Sequence, residues 1–205
     1  MIYFDHNAST PIDGRVVEAM LPYLNDFYGN PSGLYRAGRI ARSAINTARE
    51  QLAALVGSSS ANIIFTSGGT EANNLALRAA ANNSEIMVSA IEHPSVIEPA
   101  RKYQQVSLIP ANDQGIVAIT AMASVFDQQK QPDLVSVMLA NNENGAIQNV
   151  KEVGLFFKEK KTLVHTDAIQ GVGKIPVSFD DLAVDLMSLS SHKIYGPKGC
   201  GALIV

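Results

Sequence analysis

The sequence has one cysteine among 205 residues, which excludes an internal disulfide framework and a cysteine-rich metal site. Charge of one sign is scarce too. Lys and Arg number 16 against 19 Asp and Glu, a net charge of −3. They are scattered, so there is no electrostatic footprint for nucleic acid or an anionic membrane. The longest apolar runs are of strand length, far short of a bilayer span. Met1-Ile2-Tyr3-Phe4-Asp5-His6 has no basic stretch leading into an apolar one, which is the pattern of a secretory signal. These absences set the expectation of a soluble, cytoplasmic protein with neither nucleic acid nor membrane as partner.

What is present is a regular alternation. Seven short apolar runs occur at Asn62–Phe65, Ile86–Ala90, Val106–Pro110, Leu134–Leu139, Thr162–His165, Val184–Leu189 and Gly201–Val205. Most are nearly continuous in apolar residues, which suits strands buried on both faces of a mainly parallel sheet. Helical stretches lie between them at Glu71–Ala81, Ser95–Gln104, Thr120–Gln129 and Val150–Lys160. An earlier helix, Ala37–Leu55, carries Ile40, Ala41, Ala44, Ile45, Ala48, Leu52 and Leu55 at helical spacing and stops at Gly57. The pattern predicts an α/β fold of three layers, α/β/α, around a mainly parallel seven-stranded sheet. Residues 1–35 are turn-rich, with Pro11, Gly14, Pro22, Gly29 and Pro31. They predict an N-terminal arm over 1–13 and one helix, Arg15–Leu24, that opens a large domain over 14–205. The chain stops at Val205 directly after a strand, so a truncation is expected, with a C-terminal small domain absent.

Five polar clusters fall at the carboxyl ends of predicted strands, where open α/β sheets hold their ligands. Thr66-Ser67-Gly68-Gly69-Thr70-Glu71-Ala72-Asn73-Asn74 follows a strand and opens a helix. Its glycines and free N–H groups suit a phosphate, although an ordinary βα turn capped by Thr70 reads the same way. It is neither a Walker loop nor a GxGxxG pattern. Asp167 closes a buried strand, where a carboxylate needs a cation or several donors; the plainer reading is a helix N-cap. Gln170, three residues on, can face the same cavity. His93 follows another strand and is open to three roles: general base, ring-stacking partner or plain loop histidine. Asn141-Asn142-Glu143-Asn144-Gly145 is a turn by composition. Lys193, in Ser190-Ser191-His192-Lys193-Ile194-Tyr195-Gly196-Pro197-Lys198-Gly199, is either a solvated loop lysine or an amine that reaches a cofactor. A phosphate cradle, a carboxylate, a histidine and a lysine in one crevice match the needs of pyridoxal 5′-phosphate, whose aldehyde condenses with a lysine and whose ring nitrogen pairs with a carboxylate.

These motifs resemble the cysteine desulfurases, class V enzymes of fold-type I that use pyridoxal phosphate. The resemblance runs from Tyr3 to Val205 and covers about half of a typical member. It rests on Asp5-His6-Asn7-Ala8-Ser9-Thr10-Pro11, Gly29-Asn30-Pro31-Ser32, Thr66-Ser67-Gly68-Gly69-Thr70-Glu71, Glu92-His93, Asn141-Asn142-Glu143, Asp167-Ala168-Ile169-Gln170 and Ser191-His192-Lys193. The spacing of 26 residues from Asp167 to Lys193 is also that of the family. The resemblance implies that Lys193 carries the cofactor and removes the substrate α-proton, and that Asp167 pairs with the ring nitrogen. It implies that His93 stacks on the ring, that Gln170 bonds its phenolic oxygen, and that Gly69, Thr70, Ser190 and His192 hold the phosphate. Asn142 is placed by it near the ring oxygen and the substrate carboxylate. The reaction implied takes L-cysteine or a related amino acid, leaves alanine and forms an enzyme persulfide. A homodimer and a sulfur-acceptor protein are the implied partners.

The sequence also departs from the family. The catalytic cysteine of the family lies in a C-terminal segment that has no counterpart here, and Cys200, beside the lysine turn, reads as a small buried residue. Tyr35 stands where the family commonly has His, and Ser9 where it has Thr. The chain by itself is therefore expected to turn over no cysteine. Two other readings remain at this stage: another class V enzyme (aminotransferase, epimerase or selenocysteine lyase), and a non-catalytic fragment that pairs with a partner chain.

Overall fold

The structure, a computed structural model, describes residues 2–80, 84–103, 105–128 and 131–205. All seven expected strands are present: β1 (Ile63–Thr66), β2 (Glu85–Ser89), β3 (Gln105–Ile109), β4 (Leu134–Ser136), β5 (Leu163–Asp167), β6 (Leu186–Ser190) and β7 (Gly201–Ile204). They form one sheet in the order β1-β7-β6-β5-β4-β2-β3. Only β7 runs against its neighbours, pairing antiparallel with both β1 and β6. Two reversals restore direction, so β1 points the same way as β2 to β6. Six strands therefore end on one edge of the sheet.

The helices are α1 (Gly14–Asn25), α2 (Arg36–Val56), α3 (Gly69–Leu77), α4 (Pro94–Tyr103), α5 (Ile119–Asp127), α6 (Val150–Phe157) and α7 (Phe179–Leu182). The last of these was not anticipated, since four residues carry no readable period. The expected helix ends Ala81, Gln104 and Gln129 lie outside the described residues. Gly57 stops α2 as its composition predicts, with φ 60° and its N–H donating to the carbonyl of Ala53.

The sheet separates two apolar cores. On one face α3 and α4 place Ala72, Ala76, Leu77, Val96 and Ala100 against Ile86, Val88, Leu134, Leu186 and Leu203. On the other, α2, α5, α6 and α7 place Val56, Met122, Val153, Phe157 and Phe179 against Met87, Val135, Val164, Met187 and Ile204. Successive strand residues such as Ile86, Met87 and Val88 alternate between the two, as the pleat requires. This is the expected three-layer α/β/α arrangement. A distinct surface lies over the N-terminal part, where α1 buries no residue and Phe4, Leu24, Tyr28 and Leu34 are exposed.

Several strand boundaries differ from the sequence reading, at polar strand ends and after β4. Polar residues at strand ends are paired in the ladder while the sequence shows only where apolar residues stop. Thus Thr66, Thr166, Asp167 and Ser190 belong to their strands, whereas Val137 to Leu139 continue beyond the three-residue β4.

Candidate functional site

The chain leaves β2 to build β3 on its outer side and returns to build β4 on its inner side. Such a switch in winding opens a crevice beyond the carboxyl ends of the strands. A cavity of about 570 Å³ occupies this edge, within the size range of small-molecule sites. Gly69, Thr70, His93, Asn142, Asp167, Gln170, Ser190, His192 and Lys193 all line it. These nine residues, given cofactor or catalytic roles by the resemblance, are thus brought to one place from positions as far apart as 69 and 193.

The register explains the phosphate-suited wall. Gly201 at the start of β7 pairs with Thr66 on one side and Ser190 on the other. The turn after β1 and the end of β6 are thereby drawn together across β7. A Cβ on Gly201 would stand 2.7 Å from Cα of Gly68 and 2.7 Å from the Leu189 carbonyl oxygen, so the close approach needs glycine. The helix cap is Gly68, not Thr70. Thr70 lies inside the first turn of α3, beside the N–H groups that a helix start leaves unpaired. Glu71 completes the turn by accepting from the Ser67 N–H at 2.6 Å.

Asp167 is 4 % exposed and ends β5 at the floor of the cavity. Its Oδ1 accepts from the Ile169 N–H at 3.0 Å and its Oδ2 from Asn73 Nδ2 at 2.8 Å. The first of these caps a turn and not the helix start of the plainer reading, since no helix follows Asp167 directly among the described residues. Burial raises its pKa, against the opposing pull of these donors and of His93 and Lys193. No cation lies in ion-pair contact with it among the described residues.

Lys193 sits on a short 3₁₀ turn, Ser191–Lys193, directly after β6. Burial lowers its pKa, while Asp167 and Asp5 pull the other way. Its ammonium donates to the Asn7 carbonyl, and Gln170 Nε2 donates to the same oxygen at 2.9 Å. Lys174 in turn donates to Gln170 Oε1. The N-terminal arm is stitched over this turn: the Thr10 N–H donates to the His192 carbonyl at 2.8 Å and the Tyr195 N–H to Thr10 Oγ1 at 2.7 Å. His192 Nδ1 lies 3.3 Å from Ser9 Oγ. Burial, then Lys193 and Lys198, lower the His192 pKa.

The structure gives places at the site to residues that the sequence motifs contained without a role. Asp5 and Asn7 of the arm line the cavity. Asn73, fully buried on α3, bridges Asp167 and Ser95; an asparagine at an otherwise apolar helix position was the available signal. Glu92 is 6 % exposed, its Oε1 accepting from Ser89 Oγ at 2.7 Å and the Met138 N–H at 2.5 Å. Burial pushes its pKa up to about 8. Ser95 holds the His93 ring at the cavity wall. Cys200 is only half-buried, in the turn before β7, and is not among the residues lining the cavity.

Comparison with known proteins agrees with this geometry. The family model of class-V aminotransferases matches residues 2–205. The cysteine desulfurase IscS of Dictyoglomus turgidum is 42% identical over 213 residues, covering 100% of this chain and 54% of the relative. The human cysteine desulfurase is 42% identical over 216 residues, covering 100% of this chain and 46% of its own. Among solved structures, SspA in complex with cysteine superimposes with a TM-score of 0.94 at 33% identity, covering 100% of this chain and 61% of SspA. A NifS-like protein from Rickettsia africae gives 0.92 at 37% identity, with 100% and 57% covered. The chain spans about half the length of the curated relatives it matches. The two curated relatives are both cysteine desulfurases. By its match along nearly the whole sequence, this chain belongs to the class-V aminotransferase family.

Proposed function

We propose that the cavity binds pyridoxal 5′-phosphate and that the chain is the cofactor-binding part of a cysteine desulfurase. The observation that carries this reading is Asp167, a buried carboxylate without an ion-pair partner among the described residues, in one cavity with Lys193 and with the open first turn of α3. The residues present fit the group. Ser190 Oγ is buried with no hydrogen-bond partner among the described residues, on the wall beside Gly69 and Thr70, where a phosphate oxygen would satisfy it. Asp167 would face a protonated ring nitrogen, the cation its burial calls for.

In this reading Gly69, Thr70, Ser190 and His192 hold the phosphate, His93 lies against the ring, Gln170 donates to the phenolic oxygen and Asn142 lies near that oxygen and the substrate carboxylate. When bound, the cofactor supplies an electron sink for negative charge developing on the substrate α-carbon. Lys193 Nζ takes the α-proton of L-cysteine, and its burial-lowered pKa favours the neutral amine that this step requires. The sole cysteine stands outside the cavity lining, so this chain offers the substrate sulfur no thiol of its own there. A persulfide and transfer to a sulfur-acceptor protein for iron–sulfur assembly belong to the proposal for the whole enzyme. So does a homodimer, in keeping with the exposed Phe4, Leu24, Tyr28 and Leu34.

The test is to add pyridoxal phosphate to the purified chain, record the visible spectrum, reduce with borohydride and map the modified peptide. A yellow band and a label on Lys193 are expected, without sustained alanine production from L-cysteine. Label scattered over surface lysines, or no band at all, refutes the cofactor reading.

A further inference from the structure

Two residues outside the sequence-derived site, Ser95 and Asn73, determine the chemistry of His93. The Ser95 backbone N–H donates to His93 Nδ1 at 3.1 Å. A backbone N–H can only donate, so Nδ1 must offer its lone pair. The Ser95 hydroxyl also lies 2.7 Å from Nδ1, and its direction follows from the next link. Asn73 Nδ2 sits 2.9 Å from Ser95 Oγ and 2.8 Å from Asp167 Oδ2. The Ser95 N–H makes Nδ1 an acceptor in either state of Asp167. With Asp167 ionised its oxygens only accept, so the Asn73 amide faces it with its nitrogen. Its second hydrogen then goes to Ser95 Oγ, which leaves the serine proton for Nδ1. Each bond in the chain Asp167–Asn73–Ser95–His93 therefore has one allowed direction.

We propose that Ser95, oriented by Asn73, fixes His93 as the tautomer with its proton on Nε2, so that the ring brings a hydrogen-bond donor and no base to the cavity. Of the roles open to His93 from sequence, stacking remains and the general base is excluded; Lys193 is left as the proton acceptor. Ser95 and Asn73 are positioning residues in this scheme, since they act through His93 and Asp167. The consequence for catalysis rests on the cavity being the cofactor site, whereas the tautomer itself does not.

The chain holds four histidines, which suits ¹⁵N-histidine labelling and long-range ¹H–¹⁵N correlation at a pH where the rings are neutral, with His93→Gln used only to assign the signals. Expected for His93 is a pyrrole-like Nε2 and a pyridine-like Nδ1. Ser95→Ala removes the hydroxyl but keeps the N–H, and lowers the Nε2–H to Nδ1–H ratio about five-fold, the weight of one neutral hydrogen bond. Ser95→Thr restores it. A protonated Nδ1 in the unaltered chain overturns the proposal, and so does a Ser95→Ala ratio equal to that of the unaltered chain. The Lys193 label is read separately: its absence with the tautomer intact refutes the cofactor site alone, and its presence with the tautomer reversed refutes the His93 assignment alone.

Discussion

Glu92→Gln should change how stability depends on pH. The Glu92 carboxyl is buried between Ser89 and the Met138 N–H, and its Oε2 has no partner among the described residues. An ionised group there would leave one charged oxygen dry, near the carboxylate of Asp167. Burial accordingly raises its pKa from 4.5 to about 8. The unfolded chain releases this proton near the lower value and the folded chain near the higher one, so between them the native state binds more protons. Stability from this group is therefore fully present below about pH 4.5, erodes as pH rises and is gone above about pH 8. A separation of about 3.5 pH units at about 1.36 kcal/mol each amounts to about 5 kcal/mol. His165, buried between Ser136 and Ser188 with its pKa pushed down to about 3, acts oppositely. Its contribution is lost as pH falls from about 6.5 towards 3. The comparison must therefore be a difference between two proteins, in which His165 cancels. Urea unfolding of the unaltered chain and of Glu92→Gln at about pH 5 and about pH 8.5 measures it. The variant should gain several kcal/mol on the unaltered chain between the two pH values, about 5 at most. An equal difference at both would show that Glu92 titrates as an ordinary exposed carboxyl and refute the argument.

Phe157→Ala should cost about 3–5 kcal/mol in urea unfolding, because Phe157 is 1 % exposed and packs edge-on to Phe126 and Phe156; a loss below about 1 kcal/mol would place it outside the core. Gly201→Ala should cost about 1–3 kcal/mol and weaken pyridoxal-phosphate capture as well, since its Cβ would press on the Gly68 backbone next to Gly69 and Thr70. Unchanged capture, followed by visible absorbance, would show that the turn moves aside without harm.

The five inner strands were legible because burial on both faces leaves an apolar run in the chain itself; the edge strands β1 and β3 carry such a run although much of it is open. The long helix α2 was legible from its period and from Gly57. The site residues were visible as polar clusters after those runs, and the resemblance carried by the Ser-Gly-Gly-Thr-Glu, Asn-Asn-Glu and Ser-His-Lys strings attached roles to them. Strand ends were less legible. Thr66, Asp167 and Ser190 are polar, and only pairing with β7, for Thr66 and Ser190, and with β6, for Asp167, shows that they belong to the ladder.

Local composition and period thus determined the α/β class, the number of strands and the residues worth watching. The tertiary structure decided the rest: that β7 reverses and draws the Gly68 turn to Ser190, that the arm lies over Lys193, and that Asn73 and Ser95 link Asp167 to His93. The physical reason is range. Periodicity and turn chemistry act between neighbours in sequence, whereas the direction of a hydrogen bond between residues 73 and 167, 94 positions apart, exists only once the sheet has set them side by side.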